Sequence, residues 1–217
     1  MQKENKCFSR YKILKFYPRI TSETLLEEIA YRKINLETAS HYLRQAFILD
    51  RETDKKTVGF AFANVSDGHV LEMLNPRNHM ALSTITGVNT FSFVHGVEND
   101  RVEVFANHWD FLTWLTMNRE AVPKFNCYIL NCFSNLLPAI NHLEQNSELK
   151  SVFEYLPNIP EGEWSRQFLY GRIEAKDMLF GSQNYIYRNY KGISSYWVHD
   201  KDACNIWPLQ NSNVSGD

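Results

Sequence analysis

The chain predicts an α/β fold: a mostly parallel sheet flanked by helices, preceded by a small α+β region that carries an antiparallel meander. Three observations predict it. Residues 102–105, 127–130 and 152–155 are short apolar runs of strand length, and the first two lead into segments of helical period. Strands that alternate with helices favour parallel pairing through right-handed crossovers. Before residue 75, by contrast, strand-like runs follow one another with only turn residues between them, which is a hairpin pattern.

Taken in order, residues 1–20 read as an extended or mixed arm ending at Pro18. Within 22–32, Leu25, Leu26, Ile29 and Ala30 recur at helical spacing, and Thr21 or Ser22 can cap the start. Asn35 caps a second short helix to about Leu43, with Leu36, Ala39, Tyr42 and Leu43 on one side. A strand at 46–49, a charged turn at 50–56 and a strand at 58–63 form a hairpin. Ser66-Asp67-Gly68 then punctuates before a strand at 70–74, which completes a three-stranded meander. A loop at 75–78 and a further strand at 91–94 follow.

After the strand at 102–105, Trp109, Leu112, Leu115 and Thr116 mark a helix, and Pro123 ends that unit. Beyond the strand at 127–130, Phe133, Leu136, Leu137, Ile140 and Leu143 form a helix face. Pro138 lies inside it, so that helix begins late or is kinked. Pro157 and Pro160 follow the third strand and precede a helix at about 161–170. The domain reading is an N-terminal α+β region at 1–98, the α/β domain at 99–203 and a polar tail at 204–217, expected to be disordered.

No stretch approaches 18 apolar residues, and the first twelve residues have neither an apolar core nor a small-residue cleavage pattern. The expectation is a cytoplasmic protein without a membrane partner. Four cysteines, Cys7, Cys127, Cys132 and Cys204, fit neither CxxC spacing nor a disulfide framework, and Cys127 reads as a small buried hydrophobe. Charge is uneven. Residues 1–60 hold twelve Lys/Arg against eight Asp/Glu, a balance of +4, while residues 61–217 hold eleven against seventeen, a balance of −6. Lys3, Lys6, Arg10, Lys12, Lys15 and Arg19 make a modest basic face. Tyr185, Tyr187, Tyr190, Tyr196 and Trp197 crowd one region, as packing of a small subdomain or as a stacking platform.

Recognisable chemistry is sparse. There is no P-loop, dinucleotide glycine fingerprint or HExxH, and the seven histidines stand without acidic or cysteine companions at metal-ligand spacing. Asp110 falls near the start of a helix, where a carboxylate stabilises the first turn.

The order of segments nevertheless carries a resemblance. Val104-Phe105-Ala106-Asn107-His108-Trp109-Asp110-Phe111-Leu112-Thr113-Trp114-Leu115 resembles the opening motif of the Toprim domain in bacterial DNA primases and topoisomerases. It is most similar to primase-like proteins of Bacteroidetes mobile elements, where the run reads roughly Val-Phe-Glu-Gly-Phe-x-Asp-Phe-Leu-Ser-x-Leu. Tyr128-Ile129-Leu130-Asn131-Cys132 resembles that family's second strand end. The segment from Phe153 to Gly162 resembles its Leu-Tyr-Leu-Asp-Asn-Asp-x-Ala-Gly. Upstream, Tyr31-Arg32-Lys33-Ile34, Ala39, Tyr42, the run 59–64 and Gly68 resemble the lead-in that precedes Toprim.

The resemblance implies a Toprim-like fold with one Glu for acid/base work and an Asp-x-Asp pair holding magnesium. Here Ala106 stands at the Glu position, and Pro157 and Ile159 stand at the two Asp positions, while Asn158 and Gly162 match. Asn107, Asp110 and Asn131 complete the degenerate site. Pro157 and Ile159 offer no side-chain oxygen to an ion that demands hard ligands in octahedral geometry. No zinc finger of the kind those relatives carry is present upstream. Lys12, Lys15, Arg19 and Lys191 are the candidate nucleic-acid contacts.

Three functional readings follow. The first is a catalytically inactive Toprim-like accessory or regulatory protein of DNA replication or mobile-element maintenance, without a cofactor, binding DNA or a replication or mobilisation protein. The second is a magnesium-dependent primase, nuclease or nucleotidyltransferase whose ligands have moved, with Glu154, Glu161 and Glu163 nearby. The third is a protein-interaction module without a nucleic-acid role, favoured by the negative balance of residues 61–217, which repels phosphate.

Overall fold

The structure, a computed structural model, describes residues 10–74 and 81–203. The loop expected at 75–78, the basic residues Lys3 and Lys6, and the polar tail at 204–217 lie outside the described residues. Among the described residues no helix is long and apolar enough to cross a membrane.

The first half folds as β1 (Tyr11–Tyr17), α1 (Glu23–Tyr31), α2 (Leu36–Tyr42), β2 (Leu43–Asp50), β3 (Lys55–Ala63), β4 (His69–Leu74) and β5 (Ala81–Thr86). The five strands make one antiparallel sheet in chain order. The expected three-stranded meander is therefore extended by a strand at each end. Period-2 alternation divides its side chains. Phe60, Phe62, Val70 and Leu74 face a core shared with the helices. Ala46, Ile48, Ala61, Leu71 and Met73 face the other way and are packed by Tyr11, Ile13 and Phe16 of β1. That second face is concave: Phe16 on β1 comes within 4.9 Å of the His69 ring on β4, although two strands lie between them.

Asn35 caps α2 as expected, its side chain accepting from the amides of Glu37 (2.8 Å) and Thr38 (3.1 Å). α1 is different. Ser22 stands at the N-cap but makes no side-chain cap bond. Instead Gln45 Oε1, on β2, accepts from the amides of Thr21 (2.8 Å) and Ser22 (2.9 Å).

The second half comprises β6 (Ser92–Val94), β7 (Glu98–Phe105), α3 (His108–Asn118), β8 (Phe125–Ile129), α4 (Leu136–Leu143), β9 (Ser151–Tyr155), α5 (Pro160–Glu174), β10 (Leu179–Ser182) and α6 (Ile193–His199). Strand order is β10-β9-β7-β8-β6, with β6 antiparallel on the edge and the other pairings parallel. The chain runs from β7 through α3 to β8, then crosses back over β7 through α4 to β9. A topological switch point thus lies at the carboxyl end of β7.

Helices cover both faces of this sheet. Phe105, Cys127, Ile129 and Tyr155 share a core with α3, and Val102, Val104, Tyr128, Leu130 and Val152 share one with α4 and α5. α3 is also packed by Leu25 and Ile29 of α1 and by Phe60 and Phe62 of the first sheet, so nine of its eleven residues are buried. A helix enclosed on all sides loses the one-sided stripe that sequence periodicity detects. Pro138 sits in the first turn of α4, after a 3-10 turn at Phe133–Asn135, so that helix begins late. Tyr187, Tyr196 and Trp197 enter the core shared with α3, and Trp197 Nε1 donates to the Lys33 carbonyl (3.0 Å). The aromatic crowding at 185–197 is therefore largely packing, with Tyr185 exposed.

Candidate functional site at the sheet switch point

Ligands of open α/β sheets bind beyond the carboxyl ends of the strands, where strand order reverses. At that place a cleft of about 660 Å³ opens between the two sheets. Ala106 and Asn107 reach it from the end of β7, Asn131 from β8, and Pro157 and Ile159 from β9. Arg32 and Glu72 line it from the first half, and Lys191 from the loop before α6.

Asn158 and Gly162 are turned to other work. Asn158 Nδ2 donates to the carbonyls of Tyr187 and Tyr190 (3.1 Å each), tying the β9 turn to the segment before α6. Gly162 lies in the first turn of α5 under the Pro157 carbonyl, with 2.1 Å between that oxygen and the place a Cβ would occupy. The four candidate nucleic-acid contacts do not converge. Lys191 is exposed at the cleft. Lys12 and Lys15 project from the face of β1 opposite Tyr11, Ile13 and Phe16, as their pairing with Leu49 and Phe47 requires. Arg19 lines a separate groove beside α2.

Asn107 and Asp110 form a reciprocal cap on α3. Asn107 Oδ1 accepts from the Asp110 amide (3.0 Å), and Asn107 Nδ2 donates to Asp110 Oδ2 (2.7 Å). Asp110 Oδ1 accepts from the Ser194 amide (3.3 Å), joining α3 to α6. Burial pushes the Asp110 carboxyl up to about 6, against the opposing pull of the Ser194 and Asn107 donors.

No sequence motif marks the pairing of Glu72 with His108. Glu72 sits between Val70 and Leu74 at core-facing positions of β4, and a charged residue in an apolar alternation was the available signal. Its carboxylate accepts from Trp109 Nε1 (2.9 and 2.8 Å). Arg32 lies 3.9 Å away, bonded to Glu28 (2.7 Å) and stacked 4.2 Å over the Trp109 ring. Burial raises the Glu72 carboxyl above its ordinary range. His108 Nε2 is 3.5 Å from Glu72 without a hydrogen bond, and its ring stacks on Phe62. Burial and the nearby Arg32 cation push the His108 imidazole down to about 3.

A pH dependence follows with a definite sign. Folded Asp110 takes up its proton near 6, the unfolded carboxyl near 4, so its stabilising contribution is complete below about 4 and lost as pH rises through about 6. Wild type should therefore gain on Asp110→Asn between pH 7 and pH 4, by on the order of 2–3 kcal/mol. His108 acts oppositely: the unfolded imidazole protonates near 6.5 while the folded one stays neutral, so stability falls as pH drops below about 6.5. That loss is common to both proteins and cancels in the comparison. Urea melts at pH 4, 5.5 and 7 measure it, and a constant offset at all three would contradict the assignment.

Magnesium, which the resemblance associates with this place, does not fit the donors present. Ala106, Pro157 and Ile159 supply no side-chain oxygen, Asp110 is bonded on both oxygens, and Glu72 is engaged by Trp109. Among the described residues no three His, Cys, Asp or Glu side chains converge as a metal set. Glu154, a candidate for a relocated ligand, points to the α5 face. It is fully buried there, receiving Arg166 Nε (2.6 Å), the Leu156 amide (2.5 Å) and Ser182 Oγ. Glu163 pairs with the same arginine.

No protein-family model and no curated protein matches the chain. Among solved structures it is similar to the primase fragment of the bacteriophage T7 primase-helicase protein, with a TM-score of 0.58 at 12% identity over 84% of this chain and 72% of that one. A second similarity, at TM-score 0.47 and 11% identity over 74% of this chain and 83% of the other, is to a bacteriophage T7 lagging-strand DNA polymerase complex with primase domains bound to an RNA/DNA hybrid and dTTP. The chain thus has an α/β fold with antiparallel and parallel sheets and flanking helices, similar in fold to that primase fragment.

Proposed function

We propose that the chain is a primase/Toprim-like protein that acts by binding rather than by magnesium chemistry, as an accessory or regulatory component of DNA replication or mobile-element maintenance. One observation carries this reading. The switch-point cleft keeps its strand ends and its volume of about 660 Å³, yet Ala106, Pro157 and Ile159 stand at the resembled carboxylate positions. What the cleft offers instead is the exposed cation of Lys191, with Ser194 and Ser195 beside it in the lining. These are groups for recognition. The engagement of Glu154 and Glu163 by Arg166 weighs against ligands relocated along β9 and α5.

Magnesium titration followed by amide chemical shifts, with oligonucleotide binding measured in magnesium and in EDTA, tests the proposal. The expected result is no stoichiometric magnesium site and an affinity for nucleic acid that EDTA leaves unchanged. Saturable magnesium shifts at Asn107 and Asn158, or primer synthesis or cleavage lost in Glu154→Gln or Glu161→Gln, would overturn it. Absence of any salt-dependent binding tighter than about 10⁻⁴ M would favour a protein partner.

A further inference from the structure

Cationic and imidazole side chains gather at the end of the first sheet where β1 and β3 finish and β2 and β4 begin. Two adjoining grooves there, of about 710 and 470 Å³, share His41 and Arg44. Arg19 lines the first; His69 and His95 line the second. Each imidazole rests against an aromatic ring: His41 on Tyr42 and His69 on Phe16 at 4.9 Å between centroids, and His95 on Phe93 at 4.6 Å. The Arg44 guanidinium lies 5.7 Å from the centre of the Phe16 ring.

Arg19 and Arg44 are exposed, and among the described residues neither has a carboxylate within ion-pair distance. Arg10, Arg32, Arg101, Arg166 and Arg172 all have one. Asp67 is the one carboxylate among the described residues that line the two grooves.

Unpaired guanidiniums suit phosphate oxygens, which they bind as planar, always-charged donors. Aromatic and imidazole faces between such cations suit exposed bases, whose stacking tolerates any sequence. An acidic peptide would satisfy the arginines and leave the ring pairs idle. We infer that these grooves hold the backbone of a single-stranded nucleic acid, with Arg19 and Arg44 on phosphates and the imidazole–aromatic pairs against bases. The inference rests on the reading that the chain binds nucleic acid, and assigns the strand to a surface separate from the switch-point cleft.

Anisotropy of fluorescein-labelled oligo-dT with the full chain at low salt tests it. The double variant R19A/R44A should weaken binding on the order of tenfold and reduce the slope of log affinity against log salt by about 1.4, two phosphates at about 0.7 each. Asp67→Asn, which removes the lining carboxylate and keeps a residue tolerant of the left-handed backbone there (φ 57°), should tighten binding by about two- to threefold. Lys150→Ala, at an exposed pair with Asp100, should bind as wild type. If R19A/R44A binds as wild type while Lys191→Ala loses affinity, the strand lies in the cleft; nucleic-acid binding then stands and this inference falls. If the wild-type chain shows no salt-dependent binding, both fall. Displacement of the oligonucleotide by poly-glutamate at equal charge concentration would show a surface that reads charge alone, and would also overturn the inference.

Discussion

Arg166→Ala is expected to remove about 3–5 kcal/mol of stability, the range for breaking a buried ion pair from one side. Arg166 projects from α5 onto the end of β9. Its Nε donates to Glu154 Oε1 (2.6 Å), its Nη2 to the Leu156 carbonyl (3.0 Å), and its Nη1 pairs with Glu163. Glu154 has no solvent exposure, so without the cation it keeps only the Leu156 amide and Ser182 Oγ. Neither donor carries the charge that offsets its desolvation. Exchanging both partners for apolar residues, as in E154L/R166M, should cost much less than R166A alone, because no isolated charge remains. Urea midpoints at unchanged slope measure the difference. A loss below about 1 kcal/mol for R166A would show that water or another cation reaches Glu154, and would make this carboxylate available to chemistry after all.

Gly162→Ala is expected to destabilise by about 2 kcal/mol, as overpacking against a fixed neighbour does. Alanine is the better helix former by roughly 1 kcal/mol, so propensity alone predicts the reverse. The new Cβ would meet the Pro157 carbonyl oxygen at 2.1 Å and its carbon at 3.0 Å, and these are backbone atoms that cannot swing aside. The strain would move the Pro157 wall of the cleft, visible in the amide of Asn158, which donates to the Lys191 carbonyl (2.8 Å). Gly171 in the same helix is the matched control, since nothing lies within 4 Å of the Cβ it would gain. Gly171→Ala should stabilise by about 0.5–1 kcal/mol. Equal effects at the two positions would refute the close approach at Gly162.

Much of the second half was legible in the sequence. The apolar runs leading to β7, β8 and β9 have strand length, and Pro123, Pro157 and Pro160 punctuate them, so local period and local breakers locate the elements. The Asn35 cap was equally readable, because an N-cap bond spans two or three residues. β5 was not, since Ala81, Leu82 and Ser83 are exposed and show no apolar alternation. Nor was the bond that serves α1, whose acceptor Gln45 lies more than twenty residues away.

The strand ends that carry Ala106, Asn107, Asn131, Pro157 and Ile159 could be picked out in order along the chain, and the parallel sheet brings them to one cleft. In the wall opposite them Glu72 belonged to no motif, and the runs that hold Arg32, His108 and Trp109 gave no sign that these residues meet it. That wall forms because α3 is packed between the two sheets, which sets β4 against the end of β7. Sequence alone thus determined the periods, the Asn35 cap and which residues follow each strand, because these depend on neighbours along the chain. Only the tertiary structure decided that Glu154 faces Arg166, that Glu72 faces the cleft and that Arg19 and Arg44 share a groove surface, because what a side chain meets across a sheet depends on how distant segments close on one another.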